Sequence, residues 1–425
     1  MTVDAIVLVD ETADERVAGL SLRERALRVA KKAGAARIVV VELGGDRSRL
    51  EDLEGTRALL VIRADQLVHP PLVMPLLEKG PDGLAISVGD DGAYAGAMLA
   101  RGDAAARVLA QLGEGRSDAA IAAAEEAAPV RHGAIACHPA RTPEERRAAQ
   151  RHLYKILDKP QDNAITRYLF RPVSKRLTRM LVWTPITPNQ LSVMVAIVVG
   201  IGIWLTAHEP MSWAIAGTVT ILGATYLDCC DGEIARVKIM SSKFGAWFDT
   251  IVDEATSIAY MAALGWHCHL HFGPTYLGDL PFDPWIAGMV VGLVTYSGVM
   301  VFVYYNIIVG VGSANSQDYA ARFEVVPGSA PNAVRLRPVV EVQKPRDLPR
   351  WLRPIVEFLP NIPRRDFIVW MATAYALLHW THISFATHLV GGVVTFAVTG
   401  IAAVRLVLVR RSVRRAGKIL EAPGG

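Results

Sequence analysis

From Pro188 onward the chain is dominated by apolar stretches of about 20 residues, near 189–207, 211–230, 245–267, 285–309, 366–385 and 388–408. A helix of that length matches the hydrocarbon thickness of a bilayer, and it satisfies its own backbone hydrogen bonds there. The six runs therefore predict an α-helical polytopic membrane domain of six transmembrane helices. Charge in the loops supports the count. AHEP (207–210), HLHFGPTYLGDLPFD (269–283) and HWTHISFATH (379–388) contain no Lys or Arg. The intervening loops carry Arg236, Lys238 and Lys243, then a run of arginines from Arg335 to Arg365, and the tail reads RRSVRRAGK. That alternation predicts a multi-pass protein of the cell (inner) membrane with both termini cytoplasmic.

The front of the chain is different. Residues 1–145 alternate short β-branched runs (Ala5–Leu8, Arg37–Val41, Ala58–Ile62, Leu84–Val88) with amphipathic text such as SLRERALRVAKKAG. The pattern predicts a soluble, cytoplasmic α/β domain with a partly parallel sheet. Ser21 and Gly34 are the expected caps of its first helix, and Thr142 with Glu145 reads as a capping box. The N-terminus, MTVDAIVLVD, lacks the basic region and cleavage site of a signal peptide. Basic amphipathic helices over 146–187, with Arg167, Arg171, Lys175, Arg176 and Arg179, are expected to lie at the headgroups. The membrane domain then runs over 188–411, interrupted by a Pro- and Arg-rich cytoplasmic insertion near 313–363, and a basic tail covers 412–425. A net charge of +4 is too small to suggest nucleic-acid binding. The four cysteines form no disulfide framework or zinc spacing, and Cys229 and Cys230 read as small apolar helix residues.

Within the membrane domain, LDCCDGEIARVKIMSSKFGAWFDTIVDEA places Asp228, Asp231, Asp249 and Asp253 in the spacing D-x2-D-G-x2-A-R-x8-G-x3-D-x3-D. An ionised carboxylate at membrane depth costs several kcal/mol unless it meets a cation or a wet cavity. Helical spacing puts Asp228, Asp231, Gly232 and Ala235 on one face, with Asp249 and Asp253 one turn apart on the next helix. Two helix ends could thus offer four carboxylates to one or two divalent cations. All-oxygen ligands favour Mg2+ or Mn2+ over Zn2+. Gly232, Ala235 and Gly245 leave room for a nucleotide, and Arg236 supplies a positive charge for a phosphate. Such an inventory suits displacement at a pyrophosphate, with Asp253 the candidate base for an attacking hydroxyl.

This motif resembles the signature of the CDP-alcohol phosphotransferase family at each defining position, and TPITPNQLS (184–192) is similar to the family's entry to its first span. The resemblance implies a six-helix membrane enzyme in which an alcohol displaces CMP from a CDP-linked donor. It implies that Asp228, Asp231 and Asp249 bind metal, that Asp253 binds metal or acts as base, and that Gly232, Ala235, Arg236 and Gly245 border the CDP moiety. Related architectures imply a homodimer in contact with membrane lipids. Upstream, a nucleotidyltransferase-like domain followed by TPEE and KPQDNAITRYLFRPVSKRLTRMLVWTPITPNQ is similar to bifunctional inositol phosphate cytidylyltransferase/di-inositol phosphate phosphate synthases. That similarity implies CDP-diacylglycerol or CDP-inositol as donor and inositol or inositol phosphate as acceptor, in phospholipid or phosphodiester synthesis. Glycerol phosphate is the rival acceptor, and an active front-domain cytidylyltransferase is the rival activity. Against the latter, VDETADERVAGLS (9–21) has neither the glycines nor the lysine of a triphosphate loop. Asp65 could match the metal-binding aspartate of that domain, but no aspartate precedes Thr142 where a second acid is expected. The front domain is therefore expected to be inactive.

Weaker signals remain. Arg364 and Arg365 open the fifth span and could bind an acceptor phosphate or simply anchor the helix. His267, Cys268, His269 and His271 cluster at the outer end of the third span, where a polar interfacial turn is the expected reading.

Overall fold

A computed structural model of the chain describes residues 3–158, 165–312, 319–328, 332–339 and 365–421. They fall into two compact units. One comprises residues 1–162, 175–188 and 230–240, and the other 163–174, 189–229 and 241–425.

The first unit is built on a six-stranded mixed sheet. Strand β1 (Val3–Val9) pairs in parallel with β2 (Ala35–Glu42) and β3 (Ala58–Arg63). All seven residues of β1 are buried, as a strand covered on both faces requires. A short strand β4 (Gln66–Val68) follows β3. Strand β5 (Leu84–Val88) joins β6 (Tyr94–Arg101), which runs antiparallel beside β3. Strand β7 (Ala128–Arg131) closes the far edge, so the order is β2-β1-β3-β6-β5-β7. The four β-branched runs read from the sequence are all strands. Helix α1 (Leu22–Lys32) covers one face. Its N-cap Ser21 accepts from the Glu24 N–H, and its cap at the other end is Ala33, with Gly34 one residue beyond in the left-handed region (φ +82°). Strand β8 (Cys137–Pro139) pairs antiparallel with β4. Helix α2 (Pro143–Leu153) then starts on the complete Thr142–Glu145 capping box.

The second unit is helical: α3 (Pro188–Thr206), α4 (Met211–Val237), α5 (Lys243–Phe272), α6 (Pro284–Asn306), α7 (Arg365–Leu377) and α8 (Thr381–Arg415). The last turns of α4 count with the first unit. Four of the helices (α3, α4, α6 with its extension to Val311, and α8) are long and apolar enough to cross a membrane. Helix α5 has the length at 30 residues, but Asp249, Asp253 and Glu254 dilute its apolar character. Helix α7 has 13 residues. Among the described residues four helices thus qualify as candidate spans, where the apolar runs predict six. The break between the last two helices also differs from the expected 386–387: it falls at residues 378–380. There His379 turns left-handed (φ +63°) and Trp380 N–H closes back on Tyr375 O at 2.7 Å. The apolar text masked that turn, because residues 378–380 include neither Gly nor Pro.

Helix α3 meets α4 backbone to backbone. A Cβ at Gly217 would sit 2.5 Å from Gly202 O, so only glycine allows the approach. A core of Ile221, Tyr260, Met261, Leu264, Trp285, Ala372 and Phe385 joins α4, α5, α6, α7 and α8. Most of the insertion near 313–363 lies outside the described residues. Phe323–Pro327 and Ala333–Pro338 within it pair as antiparallel strands.

Candidate metal and donor site

Helix α4 stays unbroken from Met211 to Val237, so it delivers Asp228 and Asp231 one turn apart. Five residues later α5 starts on Ser242, whose Oγ accepts from the Gly245 N–H at 3.0 Å. That cap starts the helix just ahead of Asp249 and Asp253. Oxygens of Asp228, Asp249 and Asp253 lie within 4.8 Å of one another, each residue partly buried. Asp231 lies outside this triad and is 7% exposed.

Three carboxylates this close repel one another unless a cation intervenes. The donor set is all oxygen, with no His or Cys in it, and so fits a hard divalent cation. Two glycines of the motif differ in the room around them. A Cβ at Gly232 would meet only Arg236 Nη1, at 3.6 Å, so backbone is open there. Gly245 is tighter: a Cβ would stand 3.2 Å from Ser242 Oγ and 3.3 Å from Asn189 Oδ1. Asn189 belongs to the TPITPNQLS segment, which therefore touches the start of α5.

Other sequence candidates are distributed differently. Arg364 and the side chain of Arg365 lie outside the described residues. The histidines on α5 lie in its last turns: His267 is buried, with Nδ1 2.6 Å from His208 O and Nε2 3.2 Å from Thr381 Oγ1. His269 pairs with Asp283, and His271 Nδ1 lies 3.0 Å from Glu209 O. Each of these three rings thus holds a loop or a helix end. The four cysteines form no disulfide.

In the front domain Asp65 is buried and already carries two cations. Arg63 Nη2 lies 2.7 Å from its Oδ2, and Arg141 reaches the same oxygen. Arg141 arrives because β8 pairs with β4, which fixes the residue immediately before Thr142 beside Asp65. Two guanidinium groups thus neutralise the Asp65 carboxylate. The loop after β1 is held by its own contacts. Thr12 N–H and Oγ1 both donate to Asp10, and Gly19 packs so closely on Val182 O that a Cβ would lie 1.8 Å from it.

Sequence reasoning passed over the polar groups that secure the end of α4. Glu233 is fully buried and accepts from Thr178 Oγ1 at 2.6 Å. Lys238 Nζ donates to Thr184 O at 2.7 Å. Their only signal was charge on a face that the helical pattern marks as apolar.

An all-oxygen cluster on two paired helices is the kind of site that suits a hard divalent cation, an ion of use in phosphorus chemistry. The comparisons narrow that class. Residues 185–326 match the family model for CDP-alcohol phosphatidyltransferase, and that segment is a domain of this family. The chain is 35% identical over 159 residues to the "Bifunctional IPC transferase and DIPP synthase" of Aquifex aeolicus, covering 37% of this chain and 34% of the relative. The protein of the same name from Thermococcus kodakarensis is 36% identical over 126 residues, 29% of this chain and 28% of the relative. The "Phosphatidylinositol phosphate synthase" of Corynebacterium glutamicum is 33% identical over 99 residues, 23% of this chain and 42% of the relative. The alignments thus span about a third of the curated relatives' length.

Proposed function

We propose that the chain is a membrane CDP-alcohol phosphotransferase that transfers a substituted phosphate from a CDP-linked donor, CDP-diacylglycerol or CDP-inositol, to inositol or an inositol phosphate. The observation that carries this reading is the Asp228–Asp249–Asp253 cluster inside the family-matched segment. The names of the relatives support an inositol-type substrate.

In this reading the acceptor hydroxyl gives its proton to Asp253 as its oxygen attacks the donor phosphorus, and the bond from that phosphorus to CMP breaks. Asp228, Asp231 and Asp249 would hold Mg2+ or Mn2+, which when bound neutralises charge on the pyrophosphate. Gly232, Ala235 and Gly245 border the cytidine diphosphate, and Arg236 contributes a fixed charge to a phosphate. Arg364 and Arg365 are the candidates for an acceptor's own phosphate. The loop charges favour a site at the cytoplasmic rim of the membrane, with both termini on that side. The front domain is inactive in nucleotidyl transfer, a reading supported by the guanidinium of Arg141 on Asp65.

The test is CMP release and product mass spectrometry with purified protein, each donor in turn, and a panel of inositol, inositol phosphate and glycerol phosphate. Asp253→Asn is expected to lower turnover by at least about a hundredfold, in the range of losing a general base. Undiminished CMP release by that variant would sink the mechanism.

A further inference from the structure

The helix that carries Asp228, Asp231, Gly232, Ala235 and Arg236 ends in a way its own sequence does not favour. Ile239 occupies the left-handed region (φ +56°), a place that glycine usually takes after a helix. Met240 N–H closes on Ala235 O at 2.8 Å and Ile239 N–H on Arg236 O at 3.2 Å, so the helix is stopped there. A β-branched residue in that conformation is an outlier that its surroundings must hold. What holds it is the front domain. Ile239 is 8% exposed and belongs to the core cluster on one face of the sheet, with Val7, Ala26, Val29 and Ala30.

Two arginines of α1 secure the same turn. Arg25 is fully buried, and among the described residues no carboxylate pairs with it. Its Nη1 donates to Val237 O at 2.9 Å and its Nη2 to Val17 O at 2.9 Å. Arg28 donates through Nη1 to Lys238 O at 2.8 Å while its Nε is held by Glu24 at 2.8 Å. The carbonyl of Val237 is among those a helix C-terminus leaves without an intrahelical partner, and cations there complement the negative end of the dipole. Residues 230–240 accordingly count with the front domain in one compact unit.

We propose that the front domain serves as a clamp on the end of this helix, with Arg25, Arg28 and Ile239 as positioning residues that fix the donor-binding stretch from Asp231 to Arg236. The proposal rests on the reaction centre assigned above. It gives a domain without a working nucleotidyltransferase site a task in the membrane reaction. Small displacements of positioned groups cost up to a hundredfold in rate, so loosening the clamp has a measurable consequence.

The experiment uses the full-length protein in detergent micelles, with CMP release measured from CDP-diacylglycerol and CDP-inositol. Mn2+ binding is followed independently by electron paramagnetic resonance, and folding by thermal unfolding. The variants are Arg25→Met, Arg25→Lys, Arg28→Gln and Ile239→Gly, beside Asp253→Asn. A clamp predicts about a tenfold fall in kcat/KM for the donor in Arg25→Met, Arg28→Gln and Ile239→Gly, with weakened Mn2+ binding, and recovery to within about threefold in Arg25→Lys. Ile239→Gly is the sharpest arm, because glycine relieves the local backbone and only loss of the anchor can make it worse. Should Arg25→Met not fold, Arg28→Gln and Ile239→Gly carry the test. Wild-type kcat/KM and Mn2+ affinity in those two, with Asp253→Asn inactive, would overturn the clamp and leave the reaction centre standing. Full turnover by Asp253→Asn would instead remove the reaction centre, and the clamp with it.

Discussion

Neutralising one member of the aspartate triad should stabilise the protein without metal and disable it with metal. Oxygens of Asp228, Asp249 and Asp253 fall within 4.8 Å of one another. Two unit charges at that separation repel by about 1 kcal/mol at the dielectric constant of water and about 3.5 kcal/mol at an effective value near 20. The three side chains are partly exposed, so the lower end applies. Asp249→Asn keeps the side-chain shape while removing two of the three repulsive pairs, a relief of about 2 kcal/mol at that lower end. In a helical unit of this size that corresponds to a rise in Tm on the order of 5 °C in EDTA. Divalent metal should reverse the ranking. At a hundred times its Kd, a cation that binds only the folded state adds about 2.7 kcal/mol to the wild type, and the variant should forgo most of it. The assay is thermal unfolding of both proteins in EDTA and across a Mn2+ series, with CMP release measured in parallel. If Asp249→Asn melts below the wild type in EDTA, or if Mn2+ raises both melting temperatures equally, the triad is not a shared cation site.

Asp65→Asn should leave CMP release within about twofold of wild type, yet destabilise the front domain by about 2 kcal/mol, because Arg63 and Arg141 lose their common carboxylate; urea unfolding with turnover measured in parallel checks both. His69 is buried, and burial pulls its imidazole down to about 3. The unfolded chain titrates near 6.5, so it takes up the proton first. The stability His69 contributes is therefore complete above about pH 6.5 and is lost at about 1.4 kcal/mol per unit as pH falls toward 3. His69→Gln should flatten that part of the unfolding profile recorded between pH 7 and 4. Gly245→Ala would bring a methyl to 3.2 Å from Ser242 Oγ and 3.3 Å from Asn189 Oδ1. It should raise KM for the CDP-linked donor about three- to tenfold with a smaller change in kcat, a cost of roughly 1 kcal/mol, read from initial rates at varied donor.

Local rules carried far into both units. The caps at Ser21 and Thr142 form as their side chains dictate, since an N-cap is settled within four residues. The β-branched runs became strands, and the D-x2-D and D-x3-D spacings delivered three of four aspartates to one cluster, because helical periodicity is also local. The sequence did not reveal contacts that depend on distant pairing. Arg141 reaches Asp65 only once β8 pairs with β4, and nothing in CHPARTPEE announces that partner. The left-handed turn at His379 was invisible because hydropathy reports burial along the chain and not backbone direction.

Arg25 shows why that boundary matters for function. On α1 it reads as one more solvated arginine in SLRERALRVAKKAG, yet it is fully buried and aimed at Val237 O, 212 positions away. Burying a guanidinium without a carboxylate is costly unless its donors meet acceptors that would otherwise be stranded. The Val237 carbonyl at the end of α4 is such an acceptor. Arg25 Nη1 and the Val237 carbonyl thus satisfy each other, and replacing Arg25 alone leaves that carbonyl unmatched. The same logic holds for Ile239, whose strained backbone persists only while the sheet core accepts its side chain. On the clamp proposal, replacing Arg25 or Ile239 releases the end of the helix that carries Asp231 and Arg236, so turnover should respond to these two residues more than to Asp65.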